Sequence, residues 1–360
     1  MTAPVDAVGV ILVGGLGTRM RPLTDHLPKP LLPVGGVPLV LHQVAHLVAA
    51  GVREIVLAAS RETAPGSTDF AAVLSGAAAL GARARLVREP RPLGTGGGLV
   101  HALDALDAPD AGRAVDAGLV VLVNGDLLTG HDLAVQLRAL PDDADGSLHV
   151  RTVPDARPYG CVETERGGRV VAFHEKHPDP PTREVNAGTS VLRRAALDDV
   201  PRGEVVSIER DVYPRLAARG RLVVHREGTG PDDQPYFCDV GTPQALVAAS
   251  VDVVTRGAPR HDTPTGRASV VGAGSTVAAG AAVTGGSALG AGVDVADGAA
   301  VDGSVVMDGS SIGAGAAVTA SALGRRVQVG AGAELRRCAL GDGVVVPDGA
   351  RWTDRSVGGP

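Results

Sequence analysis

Between Val271 and Val346 a single apolar residue returns every five or six positions: Val271, Val277, Val283, Leu289, Val295, Val301, Met307, Ile312, Val318, Leu323, Val329, Leu335, Leu340 and Val346. Glycine often follows one or three places later. Neither an amphipathic helix nor an alternating strand produces that spacing. A chain wound into short flat sides, each pointing one apolar side chain inward, does produce it, and such a chain is a β-helix. An Ala/Gly-rich linker would hold no register.

The same region contains the one stretch that raises a membrane question. Ala268–Val293 is uncharged and long enough to span a bilayer. It consists largely of Gly, Ser, Thr and Ala, too weakly apolar to insert, so no membrane partner is expected. No basic segment precedes the first apolar run, which argues against a leader peptide. Cys161, Cys238 and Cys338 fit neither a disulfide framework nor a zinc spacing, and a reducing cytoplasmic setting is expected. The formal charge of -6 argues against a nucleic-acid binder and leaves room for a local basic site.

The first half has another grammar. Val8–Val13 reads as a buried strand, and Leu39, Val40, Val44, Leu47 and Val48 form a helical stripe ending at Gly51. Strands are expected from Arg53, from Ala84 and, in "LVVLVNGDLL", from Leu119; helices are expected over Thr68–Leu80 and, after a Gly-rich loop, Leu99–Leu106. Alternating strands and helices imply a mostly parallel sheet, which binds ligands beyond the carboxyl ends of its strands. The expected division is an α/β domain over residues 1–254, a polar linker over 255–266 and a β-helix over 267–360.

The end of the first strand carries "ILVGGLGTRMRPLTDHLPKPLL". A Walker loop would need a Gly-Lys-[Ser/Thr] ending that is absent, and a dinucleotide fingerprint would need glycine where Met20 stands. A structural turn alone would not explain Arg19, Arg21 and Lys29 beside it. Like charges repel, so a polyanion is the natural partner: glycine amides approach a nucleotide while the cations neutralise its phosphates. Asp126 follows an all-apolar strand, where a carboxylate is costly unless paired or bound to metal, and Asp239 in "FCDVG" has a similar setting. Either alone is equally an N-cap or turn aspartate.

The run "LVGGLGTRMRPLT…LPKPLLPVGGVPL" resembles the signature of sugar-1-phosphate nucleotidyltransferases. The resemblance continues through "EPRPLGTGGGL", "VLVNGDLL", "RPYGCV", "FHEKH", "NAGTSVL", "SIERDVYP" and "YFCDVGTP", and is closest to the mannose-1-phosphate guanylyltransferases. It implies an α/β fold: a Rossmann-like nucleotidyltransferase domain followed by a left-handed parallel β-helix. It also implies attack of a sugar 1-phosphate on a nucleoside triphosphate, with release of pyrophosphate. Arg19, Lys29 and Lys176 would be the catalytic cations. Leu12, Gly14, Gly15, Gly17, Thr18, Glu89, Gly94, Thr95, Asn124 and Gly125 would bind the nucleotide. Tyr159, Gly160, Glu175, Lys176 and Asn186 would bind the sugar phosphate, and Asp126 and Asp239 would hold Mg²⁺, which takes few protein ligands. Glu89 offers two acceptors to the donor edge of guanine, which favours GTP.

The sequence departs from the family in "EKH", where Glu-Lys-Pro is usual, and in Phe237 of "FCDVG", where tryptophan is frequent. Mannose is the default acceptor, with a heptose or cyclitol phosphate, or another nucleoside triphosphate, as alternatives. A second activity in the β-helix, such as acyl transfer, would use a histidine base; the last histidine is His261. The β-helix is therefore expected to assemble a homo-oligomer and not to do chemistry. A non-catalytic sugar-nucleotide-binding subunit is the rival from another class; it would have lost Arg19, Lys29 or an aspartate.

Overall fold

The computed structural model describes residues 5–60, 68–108, 117–228, 233–258 and 268–359. Most of the expected linker, 259–266, lies outside them. The chain opens with β1 (Ala7–Leu12), the short strands β2 (Pro33–Val34) and β3 (Val37–Pro38), α1 (Leu39–Ala49), β4 (Glu54–Ala59), α2 (Thr68–Ala79), β5 (Arg83–Arg88) and α3 (Gly94–Asp107). Next come β6 (Leu119–Asn124), β7 (Leu127–Thr129), α4 (Leu133–Arg138), β8 (Gly146–Thr152), β9 (Gly160–Thr164), β10 (Val170–Glu175) and β11 (Glu184–Arg193). A π-helical turn, Ile208–Val212, leads into α5 (Tyr213–Ala218); β12 (Leu222–Arg226), β13 (Phe237–Asp239) and α6 (Pro243–Arg256) follow. These elements form two compact units: Met1–Gly15 with Gln43–Phe237, and Leu16–His42 with Cys238–Pro360.

The first unit is built on one sheet. Its order is β10-β9-β11-β6-β1-β4-β5, with β8 and β12 continuing beyond β11. Strands β6, β1, β4 and β5 run parallel, as alternating strands and helices require. From β11 the sheet turns antiparallel through β9, β10 and β8, a part the sequence reading did not place. Strand β1 is apolar throughout because both its faces are covered. Val8 and Val10 join Leu99 and Leu103 of α3 in the core. On the other face, a Cβ at Gly9 would sit 2.8 Å from Leu47 of α1.

Two local expectations need correction. Helix α3 begins at Gly94, not Leu99, so the Gly-rich loop is its first turn. The amides of Gly96 and Gly97 are satisfied by the Val206 carbonyl at 2.8 and 3.2 Å, a distant partner that offsets the helix-weakening effect of glycine. The strand expected to run through "LVVLVNGDLL" breaks after Asn124. There the Gly125 amide donates to the Leu12 carbonyl at 2.9 Å. A Cβ on Gly125 would fall 2.1 Å from that oxygen.

The second unit contains the β-helix. Its described strands stack into three parallel sheets of 6, 5 and 5 strands, consistent with the left-handed β-helix expected. The inward column Leu289, Val306, Leu323, Leu340 and Val357 stands in strict register. Val306, not Met307, therefore occupies the inward position. The reason is a change in coil length: equivalent residues stand 18 apart in the first coil and 17 apart later. Both residues at this step are apolar, which hid the shift. Val271 and Val277 of the first coil stay exposed.

Inside the β-helix, side chains copy the backbone ladder. The Ser304 amide donates to Ser287 Oγ at 3.1 Å, Ser321 to Ser304 Oγ at 3.1 Å and Cys338 to Ser321 Oγ at 3.0 Å. Helix α6 lies on the coils: a Cβ on Gly286 would stand 2.8 Å from Thr255 Cγ2. The Leu16–His42 segment packs in the same unit. The Gly35 amide donates to Ser250 Oγ at 2.9 Å, and Gly341 faces Pro22, its Cβ position 3.2 Å from that ring. Arg325, paired with Asp342 at 2.7 Å, donates to the His26 carbonyl at 3.4 Å. Among the described residues no helix is long and apolar enough to cross a membrane.

Candidate active site

In the second unit, Gly17 adopts the left-handed conformation, φ 61°, at the entrance of a short turn, Thr18–Met20. Thr24 donates to its carbonyl at 2.8 Å. A Cβ there would crowd both Thr24 and Lys29, each 3.2 Å away, so the glycine lets the two ends of the loop close on each other. Lys29 is 8% exposed, and Arg19 is exposed. The missing Cβ of Gly241 would lie 3.2 Å from Arg19 Nη2 and 3.0 Å from Asp239 Oδ1. A guanidinium and a carboxylate thus flank one glycine, the cation and anion that a bound phosphate and its counter-ion require.

In the first unit, the end of β1 meets the turn after β6. Leu12 and Asn124 are register partners, Gly125 bonds the Leu12 carbonyl, and Asp126 is half-buried just beyond. A Cβ on Gly14 would press against the Ser60 amide at 3.0 Å, whereas Gly15 borders open space. Gln43 clamps the turn from behind: its amide donates to the carbonyls of Asn124, at 2.9 Å, and Leu127, at 3.0 Å.

The loop expected to meet the base is braced from within. Glu89 is 7% exposed, and Oε2 accepts the Leu93 amide at 2.9 Å. Oε1 stands 2.3 Å from where a Cβ of Gly98 would be. Burial, partly offset by the Leu93 bond, raises the carboxyl above its ordinary range. The structure therefore turns this side chain inward. Gly94 is left-handed, φ 72°, and Thr95 donates to Glu209 at 2.6 Å.

Among the residues expected to meet the sugar phosphate, Glu175 pairs with Gly160 across β10 and β9, and a Cβ on Gly160 would lie 2.9 Å from Glu175 Oε2. Lys176 has φ 50°, unusual for a residue with a side chain, and its amide donates to the Tyr159 carbonyl at 3.0 Å. Its ammonium stands 3.4 Å from the Glu175 carboxylate. The Tyr159 ring packs with Ala156, Cys161 and Val185, and its carbonyl faces the Lys176 amide. Asn186 closes a turn by accepting the Gly188 amide at 3.1 Å. At Gly188 a Cβ would fall 3.0 Å from Asn124 Nδ2, which puts the Asn186 bulge beside the Asn124–Asp126 turn.

Sequence reasoning missed Gln43, Gly241 and Glu209. Gln43 is a buried polar residue within a helical stripe read only for its apolar members, and Gly241 and Glu209 lay inside motifs noticed whole. Among the described residues no three His, Cys, Asp or Glu side chains converge on a protein-only metal site.

Comparison with known proteins fits this arrangement. Residues 8–256 match the nucleotidyl transferase family and residues 266–357 the GMPPB C-terminal domain. A mannose-1-phosphate guanylyltransferase of Mycobacterium tuberculosis is 40% identical over 259 residues, 72% of this chain and 67% of that protein. A mannose-1-phosphate guanyltransferase of Yarrowia lipolytica is 31% identical over 67% of this chain and 62% of its own length, so less than two thirds of that relative is spanned. A Bacillus anthracis structure assigned as a glucose-1-phosphate thymidylyltransferase, solved with sucrose, superposes with a TM-score of 0.59 at 18% identity, covering 72% of this chain and 98% of that one. That likeness speaks to fold alone. The chain belongs to the nucleotidyl transferase family.

Proposed function

We propose that the chain transfers GMP from GTP to a sugar 1-phosphate, mannose 1-phosphate first, releasing pyrophosphate. The observation that carries the phosphate chemistry is the flanking of Gly241 by Arg19 and Asp239. The relatives' names supply donor and acceptor. A phosphate oxygen of the sugar 1-phosphate attacks the α-phosphorus of GTP, and the bond to the β-phosphate oxygen breaks in line. No covalent protein intermediate is needed; positioning and charge neutralisation carry the step. Arg19 and Lys29 hold the triphosphate and the departing pyrophosphate. Lys176 holds the acceptor phosphate, while Gly160, Glu175, Asn186 and the Tyr159 backbone surround the sugar. The base meets the Glu89–Thr95 loop, with Glu89 fixing its shape.

Asp126 and Asp239 suit Mg²⁺: their oxygens are hard donors, and the missing Cβ of Gly241 keeps Asp239 Oδ1 uncrowded. When bound, the ion neutralises phosphate charge. The β-helix is proposed as the assembly surface, with Val271, Val277 and Val345 exposed on it. The test is pyrophosphate release with each common nucleoside triphosphate against a panel of sugar and cyclitol 1-phosphates. GTP with mannose 1-phosphate should be the best pair. Preference for ATP or dTTP overturns the base assignment, preference for a heptose or cyclitol phosphate overturns the acceptor, and no turnover overturns the enzyme.

A further inference from the structure

Glu209 has no part in the chemistry above, yet it holds the loop on which base choice rests. Three layers of contact join this loop to the segment that starts at Glu204. In the first, the Val206 amide donates to the Leu93 carbonyl at 2.9 Å, and the Val206 carbonyl accepts the Gly96 and Gly97 amides at 2.8 and 3.2 Å. In the second, side chains are excluded. A Cβ at Gly94 would lie 2.6 Å from the Val206 oxygen, and one at Gly97 would lie 2.5 Å from the Glu204 oxygen. In the third, Thr95 is bonded twice: its hydroxyl donates to Glu209 Oε2 at 2.6 Å and accepts the Ile208 amide at 2.9 Å. Ser207 donates to the same Glu209 oxygen at 2.9 Å.

Glu209 is placed there by an uncommon turn. Ile208–Val212 is π-helical, Ser207 caps it by accepting the Arg210 amide at 3.2 Å, and Asp211 accepts the Ser207 amide at 2.7 Å. Single π-helical turns recur at functional sites because they re-aim one side chain. This one aims a half-buried carboxylate at Thr95 from 114 positions away in sequence.

We propose that Glu209 is a positioning residue for base selection. By holding Thr95 it fixes the Gly94–Thr95 backbone against which the base edge is read, and so sets the preference for one base over another. This rests on the reading that the Glu89–Thr95 loop meets the base. A loop free to shift by a fraction of an ångström would bind several bases comparably, because a hydrogen-bonding edge discriminates only when its donors and acceptors are fixed.

The test compares Glu209→Ala, Glu209→Gln and Thr95→Val in the full-length protein. For each, kcat and KM are measured for GTP and ATP at saturating mannose 1-phosphate, KM for mannose 1-phosphate at saturating GTP, and Tm. Glu209→Ala should cut the GTP:ATP ratio of kcat/KM by about tenfold or more, the scale of one hydrogen bond to a charged group. Most of the loss should appear in KM for GTP, with KM for mannose 1-phosphate unchanged. Glu209→Gln keeps an oxygen that accepts the Thr95 proton, so it should restore most of the ratio. If Glu209→Ala does not fold, Glu209→Gln decides alone through a smaller fall in the ratio at unchanged Tm. An unchanged ratio in the folded Glu209 variants, with Thr95→Val lowering it, overturns the role of Glu209. An unchanged ratio in all three means the loop does not meet the base, and the underlying reading fails as well.

Discussion

Gly241 and Arg19 stand so close that a single methyl group on the glycine would lie 3.2 Å from the Arg19 guanidinium. The same methyl would lie 3.0 Å from Asp239 Oδ1. Gly241→Ala should therefore displace one or both charged groups while leaving the core intact. We expect kcat to fall about tenfold or more, since small misplacements of reacting groups cost that much, with Tm nearly unchanged. Steady-state pyrophosphate release beside a thermal melt checks this; wild-type turnover would show that the gap has no role.

Asp126→Asn and Asp239→Asn should each lower turnover at least about 100-fold, matching the several kcal/mol that a bound cation supplies to the transition state. The amide keeps the shape and loses the charge. Rates measured across a Mg²⁺ titration check this, and near-normal turnover of both variants would reject the metal assignment.

A row of histidines predicts how stability responds to acid. His131 and His149 stack at 4.0 Å, with His46 and His225 beyond at 4.9 and 6.4 Å. Burial first, then the neighbouring His225, His46 and Arg151, depress His149 to about 3 from an ordinary 6.5. Between those values the unfolded chain binds a proton that the native chain refuses. The stabilisation is thus complete above about pH 6.5 and declines as pH falls toward 3. Denaturant midpoints from pH 7.5 to 4 should drop for the wild type and drop less for His149→Gln. Parallel curves would remove His149 as the cause.

Ser304→Ala breaks the internal ladder at its middle rung and leaves the Ser321 amide without its 3.1 Å acceptor. A buried donor left unsatisfied costs about 1–3 kcal/mol. Urea unfolding should show that loss, and catalysis at room temperature should not change.

Much of this was legible in the chain. The parallel strands announced themselves as apolar runs bounded by turns, and Arg19 and Lys29 drew notice because few structural needs crowd cations beside glycines. What escaped depends on partners distant in sequence. Gly94–Gly98 read as a loop because glycine disfavours a helix locally, while the contact that makes it helical comes from Val206. Val306 and Met307 are both apolar, so only register could choose between them. Glu89 showed two acceptor oxygens on paper, and only the fold reveals that Leu93 occupies one of them. The grouping of Leu16–His42 with the β-helix left no periodic trace at all.

That grouping has a consequence for how the protein can change. After its first coil the β-helix repeats a 17-residue step, so each later coil pairs with the next in the same way. The Pro22–His26 stretch meets this repeat on its side. It meets Arg325 and, one coil further on, Gly341, and one extra coil inserted before them would carry those residues away by about 4.8 Å, the spacing of adjacent strands. An insertion ahead of Arg325 would thus be felt at the glycine loop, whereas a coil added after Gly341 would leave it in place.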